Sequence, residues 1–322
     1  MRLALFALLL SLATPAAAQD REVSIAGPQG ALHGALLAPP GAKAVVVIIP
    51  GSGAINRDGD GPVLPRAQSY KLLAEGLAAR GIASVRIDKR GLYSSAAAIA
   101  DPNKVTIGDY AADARAWAAF AAKETGHPCA WLLGHSEGGV VALAAGNAPA
   151  ICGQLLVSSP GRPMAEVIRA QLRANPANAP LLPDADRALD ALAAGKTIDV
   201  AGFHPALQQL FNPAVQGLLI DEFRQNPREL AAALKGPVLI VQGQADLQVT
   251  PADAAALKGG APFAELLLVP GVNHVLKHVD GTQGDNIASY SIPDRPIATE
   301  VVEGIADFIA RHPREQGKPV LN

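Results

Sequence analysis

The chain has 322 residues, with 27 basic and 29 acidic side chains and a formal charge of −2. This near balance provides no basic field for nucleic acid or an anionic membrane, and 4% aromatic residues leave little for stacking along a polysaccharide. With 49% hydrophobic residues the chain can bury a large core, as one domain or a core with an insert, and no repeat or low-complexity linker divides it.

Residues 1–18 carry one charge, Arg2, then an apolar run over 3–12 and the small residues Ala16, Ala17 and Ala18. This is the pattern of a secretory signal peptide cleaved before Gln19. The apolar run is too short for a permanent span, and no cysteine follows the small residues to take a lipid. The expectation is an exported protein, periplasmic or secreted, with no stable membrane anchor.

Residues 21–25 and 31–38 read as an antiparallel hairpin joined through Gly27, Pro28, Gln29 and Gly30. Residues 44–49, AVVVII, are a continuous β-branched run, as expected of a central strand covered on both faces. It runs into Pro50, Gly51, Ser52 and Gly53 and a long loop. There Asn56, Asp58 and Asp60 echo the start of a calcium loop, but position twelve, where an EF-hand needs glutamate, is Ala67. The carboxylates are expected instead to accept backbone amides, with Arg57 paired to one of them. Residues 67–80 have helical spacing and stop at Gly81; residues 83–87 read as a strand leading into Asp88, Lys89, Arg90 and Gly91. Residues 108–125 are an alanine-rich helix with Tyr110, Trp117 and Phe120 available for packing.

The stretch 129–146, CAWLLGHSEGGVVALAAG, organises the rest. It reads as a buried strand over 130–133, a tight turn from Gly134 to Gly139 and a helix of small residues. In a GxSxG turn the flanking glycines remove Cβ atoms that would collide, and the serine hydroxyl is lifted towards the helix N-terminus, where free amides favour developing negative charge. Ser136 is thus a candidate nucleophile. A serine is a poor nucleophile at neutral pH, so a base and a group to orient it must follow. Asp246 follows a strand at 238–242, and His274 follows a strand at 263–269. Asp253 is the rival acid, but it lies within the next helix, at 251–257. His278 stands four residues after His274, yet Val275 occupies the place of the HExxH glutamate, so no metal is expected. His135 reads as a packed neighbour of the turn.

After a strand at 155–159, residues 161–236 show no buried strand. Helical stretches at 164–174, 184–194, 204–211, 214–224 and 227–234 alternate with prolines. Residues 277–296 are polar and irregular, and 297–311 form an amphipathic terminal helix. The only cysteines, Cys129 and Cys152, each stand before a predicted strand. In a doubly wound sheet those strands are parallel neighbours, so export allows a disulfide; two buried free thiols are the alternative.

The motifs GHSEGG, QGQADLQV and PGVNH, in that order, resemble the α/β-hydrolase superfamily over nearly all of the mature chain, and in particular bacterial exported esterases and serine aminopeptidase-like hydrolases. The resemblance implies an α/β fold, with a mostly parallel, doubly wound sheet of about eight strands. Residues 19–160 and 237–322 would form the core and 161–236 a helical cap after strand six, with Phe203, Leu207, Phe211 and Phe223 as candidate pocket walls. It also implies Ser136 as nucleophile, His274 as base, Asp246 as its orienting acid, and the amides of Ser52 and Glu137 as the oxyanion hole, with no cofactor. Asp88 and Arg90 would brace the loops. The implied reaction is hydrolysis of a small or medium-sized carboxylic ester, with amide, peptide or lactone substrates as alternatives. A catalytically idle binding module is the reading outside the enzymes.

Overall fold

The structure is a computed structural model that describes residues 19–62, 64 and 66–313; the expected leader at 1–18 lies outside them. Among the described residues eight strands are formed: β1 (Arg21–Ala26), β2 (Ala31–Leu37), β3 (Ala44–Ile49), β4 (Ile82–Ile87), β5 (Ala130–His135), β6 (Ile151–Val157), β7 (Val238–Gly243) and β8 (Glu265–Val269). They join one sheet in the order β1-β2-β4-β3-β5-β6-β7-β8. Pairing is antiparallel through β1, β2 and β4 and parallel from β4 across to β8.

Each parallel pair needs a crossover, which helices supply, and two more α-helices follow β8. In chain order the helices are α1 (Ser69–Ala79), α2 (Ile107–Thr125), α3 (Glu137–Ala145), α4 (Met164–Ala174), α5 (Leu182–Ala193), α6 (Pro205–Leu210), α7 (Gln216–Phe223), α8 (Pro227–Ala232), α9 (Pro251–Gly260), α10 (Gln283–Ala288) and α11 (Thr299–Arg311). The β-branched run of β3 shows why the sheet has two covered faces. Val45, Val47 and Ile49 enter a cluster with Trp117, Val141 and Leu257, while Val46 and Ile48 point the other way, to Leu73, Leu77 and Phe308. A strand apolar on both sides has no solvent face, so helices must lie on both.

The helices between β6 and β7 build a third cluster of their own, from Met164 and Val167 through Leu189 and Leu192 to Phe223. Helix α8 does not join it. Ala231 and Leu234 are buried in the sheet's core cluster and α8 packs on α9 and α3, so the last expected helix of the insert belongs to the layer covering the sheet.

Three other local expectations change. Strand β6 begins at Ile151, and Cys152 lies inside it as the extra residue of a bulge, since Ala130 pairs Ile151 while Trp131 pairs Gly153. Cys129 and Cys152 form a disulfide there, with a Cα–Cα distance of 5.3 Å. The stretch 277–296 is not irregular throughout: α10 starts at a Thr282 cap and is tied by Arg295 to Asp285 at 2.6 Å. In the loop after β3, Asn56 accepts the amides of Asp58 and Asp60, and Asp60 accepts that of Gln68. Arg57 pairs with Glu22 and Asp88 rather than with a carboxylate of its own loop, because Arg86, buried within β4, takes Asp58 together with Asp20.

Among the described residues no helix is long and apolar enough to cross a membrane. The loops after β3, β4, β5, β7 and β8 all leave the carboxyl ends of parallel strands, the edge of the sheet where such folds place their sites.

Candidate active site

The turn between β5 and α3 is strained. Ser136 has φ 55° and ψ −127°, a region that costs a non-glycine residue on the order of 1–3 kcal/mol and that persists only where the surroundings enforce it. The enforcement is visible. The Ser136 amide donates to the Val157 carbonyl at 3.0 Å, and the Gly139 amide donates to the Ser136 carbonyl at 2.9 Å. A Cβ on Gly134 would lie 2.1 Å from the Gly138 carbonyl oxygen, so strand and helix approach this closely only without one.

On the next loops the acid and the histidine meet. His274 Nδ1 lies 2.8 Å from Asp246 Oδ2, and both residues are buried. The other carboxylate oxygen accepts the amides of Gln248 at 2.8 Å and Val249 at 2.9 Å. Burial alone would raise the Asp246 pKa, but the His274 ring and these amides outweigh it and hold the carboxyl below its ordinary value. An ionised carboxylate on Nδ1 makes that nitrogen the N–H and leaves Nε2 with its lone pair. The rival Asp253 is engaged elsewhere, with Arg162 at 2.8 Å and with the Thr250 cap of α9; His278 pairs with Glu300 at 3.0 Å.

His135 does more than pack. Its Nε2 lies 2.8 Å from the carbonyl of His274 and its Nδ1 2.9 Å from the Tyr70 hydroxyl, which accepts the Gly51 amide at 3.0 Å. Burial, with His274 alongside, pushes its pKa down to about 3, so the ring is neutral. A neutral ring facing a carbonyl through Nε2 carries its proton there, so Tyr70 donates to Nδ1. One imidazole thereby ties the serine turn, the loop after β3 and the histidine loop together.

Gly51 lies against the serine: a Cβ on it would be 3.0 Å from the Ser136 Cβ. Ser52, the next residue, is exposed at its side chain, while Glu137 opens α3 and is buried. Two residues of this neighbourhood carry no signal in the sequence pattern. Lys89 contacts the Gly51 carbonyl at 2.7 Å and Glu137 Oε1 at 2.8 Å. Glu222, from α7, is buried beside them, and burial with Glu137 nearby raises its pKa well above the ordinary value of 4.5. Asp88 and Arg90 are braces: Asp88 accepts the Arg57 amide at 2.9 Å, and Arg90 grips Asp113 with two 2.6 Å bonds. Phe203, Leu207, Phe211 and Phe223 lie inside the insert's own hydrophobic cluster. No group of three or more histidine, cysteine, aspartate or glutamate side chains that could hold a metal occurs among the described residues.

The fold and this arrangement define the class. A family profile described as the alpha/beta hydrolase family matches residues 20–283, and the chain belongs to that family. A search of curated proteins finds no match. Among solved structures, the Pyrococcus furiosus esterase Pf2001 superposes with a TM-score of 0.56 at 16% identity, covering 95% of this chain and 98% of that one. Est1E from Butyrivibrio proteoclasticus, bound to ferulic acid, gives 0.58 at 18% identity, covering 90% and 98%. A thermophilic esterase from Thermogutta terrifontis gives 0.55 at 18% identity, covering 92% and 100%. At these identities the likeness is one of fold.

Proposed function

We propose that the protein is a serine hydrolase that cleaves a small or medium-sized carboxylic ester through an acyl-enzyme intermediate. The observation that carries this reading is the buried 2.8 Å contact between His274 and Asp246, on loops beside a strained serine turn. His274 Nε2 takes the hydroxyl proton as Ser136 Oγ bonds to the ester carbonyl carbon. The carbonyl oxygen becomes an oxyanion, held by the amides of Ser52 and Glu137. Collapse breaks the bond to the alcohol oxygen, which leaves with the proton from His274. Water then attacks the acyl enzyme with His274 again as base, and the acid departs as the Ser136 hydroxyl is restored. Asp246 stays ionised throughout and stabilises the imidazolium.

The helices from α4 to α7 would act as a cap over Ser136, excluding water from the acyl pocket. Phe203, Leu207, Phe211 and Phe223 pack within that cap, and they are the side chains proposed for its pocket wall. Export through the leader at 1–18 accords with the Cys129–Cys152 disulfide, since such bonds persist in oxidising compartments.

The test uses the mature protein with p-nitrophenyl acetate and butyrate and with a fluorophosphonate probe. Turnover, and labelling that disappears in Ser136→Ala, are the expected results. A folded protein that neither turns over nor labels is a binding module. Amide and lactone panels beside the esters rank the substrate class.

A further inference from the structure

The loop after β4 brings a buried cation to the nucleophile turn. Lys89 is 4% exposed and has two hydrogen-bond acceptors, the Gly51 carbonyl at 2.7 Å and Glu137 Oε1 at 2.8 Å, with the Tyr110 ring 5.1 Å away. Glu137 is itself 3% exposed. What makes these acceptors informative is the identity of their residues.

The Gly51 carbonyl belongs to the same peptide unit as the Ser52 N–H. In a trans peptide the C=O and N–H point in opposite directions, and no cis bond occurs among the described residues. Fixing the carbonyl on Lys89 therefore fixes the direction of the Ser52 amide. The preceding peptide is fixed too, because the Gly51 amide donates to Tyr70 at 3.0 Å. On the other side, the grip on Glu137 immobilises the first residue of α3, which supplies the second amide. Lysine and glutamate cancel in charge, so the pair acts through direction rather than through net field. Both charges are buried, and losing one partner would leave the other uncompensated.

We propose that Lys89 is a positioning residue that aims both oxyanion-hole amides, Ser52 and Glu137, from behind. The proposal rests on the acyl-transfer reading above. It requires that Lys89 never touch substrate: its influence falls on the transition state, where the oxyanion exists, and not on ground-state binding.

The experiment compares the parent with Lys89→Met/Glu137→Gln, which removes both buried charges together and so avoids an orphaned carboxylate. Three quantities are read on the same preparations: melting temperature, kcat and KM for a p-nitrophenyl ester, and the affinity of a boronic acid that forms a tetrahedral adduct on the serine. One oxyanion donor is worth about 100- to 1000-fold in kcat, so losing the aim of both should lower kcat at least about 10-fold, with KM within about threefold. The boronic acid should weaken by a similar factor. A folded double variant with the parent's kcat and boronate affinity overturns the proposal, as does a change confined to KM. If the double variant does not fold, Lys89→Arg serves. It keeps the charge balance, but its larger planar fork cannot hold the two oxygens in the directions that the compact ammonium gives them in this buried site, so kcat and boronate affinity should fall together. Parental values for both then overturn the proposal. Absence of fluorophosphonate labelling in the parent removes the hydrolase reading and this one with it; labelling in the parent with an unaffected variant removes only the role of Lys89.

Discussion

The disulfide offers a perturbation whose effect on stability and on chemistry can be separated. Cys129 and Cys152 are 23 residues apart and join the starting ends of β5 and β6. On the chain-entropy account, closing a loop of that length stabilises the folded state by about 3.4 kcal/mol. For a chain of 322 residues, an unfolding entropy of about 2.1 cal/mol/K per residue converts this to a melting shift of about 5 °C. The bridge is remote from the candidate chemistry, because β5 runs its full length, about 20 Å at 3.3 Å per residue, between Cys129 and Ser136. Cys129→Ser/Cys152→Ser should therefore melt about 5 °C lower than the oxidised parent, and the parent in reductant should follow it, while kcat on an ester stays within about twofold. Scanning calorimetry with and without reductant, beside an esterase assay at a temperature where both proteins are folded, measures this. Two free thiols titrated in the native exported protein would refute the reasoning, and so would a variant that melts with the parent or loses turnover while still folded.

Three further outcomes are expected. Asp246→Asn places an amide donor where His274 Nδ1 needs an acceptor, so the ring adopts the wrong tautomer and kcat should fall about 10⁴-fold with fold and KM retained; a loss under tenfold would assign the acid role elsewhere. A Cβ on Gly138 would lie 2.3 Å from the Ile49 carbonyl oxygen and 2.7 Å from that of Pro50, so Gly138→Ala should destabilise by about 1–3 kcal/mol and lower kcat by moving the loop that carries Gly51; chemical denaturation unchanged from the parent would contradict this. The raised pKa of Glu222 means that the folded protein holds a proton which the unfolded chain releases above about 4.5, so this group lowers stability as pH rises from there towards the folded value. Glu222→Gln removes that slope, and its melting temperature should gain on the parent between pH 4 and pH 7; parallel pH curves would count against it.

Much of the candidate site is legible along the chain because it is local. The strand, the glycine turn around Ser136 and the small-residue helix are adjacent in sequence, and glycine spacing alone reports where backbones must approach. Asp246 and His274 are legible for a different reason: each follows an apolar strand, and parallel strands deliver their carboxyl ends to one edge. The central strand β3 betrays its two covered faces through unbroken apolar character. The stretch after His274 misleads, since its order comes from Arg295 reaching Asp285 and Asn273 reaching Ser289, contacts that polar composition does not advertise.

The sequence by itself determined the class of fold and the order of the chemical groups, both of which follow from short-range pattern and strand periodicity, and it allowed a disulfide that the structure then formed. Only the tertiary structure decided that Tyr70 and His135 link the loop after β3 to the histidine loop, that Lys89 grips Gly51 and Glu137 across 38 and 48 residues, and that a carboxyl from α7 is buried beside them. The physical reason is that these are buried side chains from separate elements that meet only in the folded chain. What each one does depends on a partner fixed by three-dimensional packing, and no periodicity along the chain records that distance.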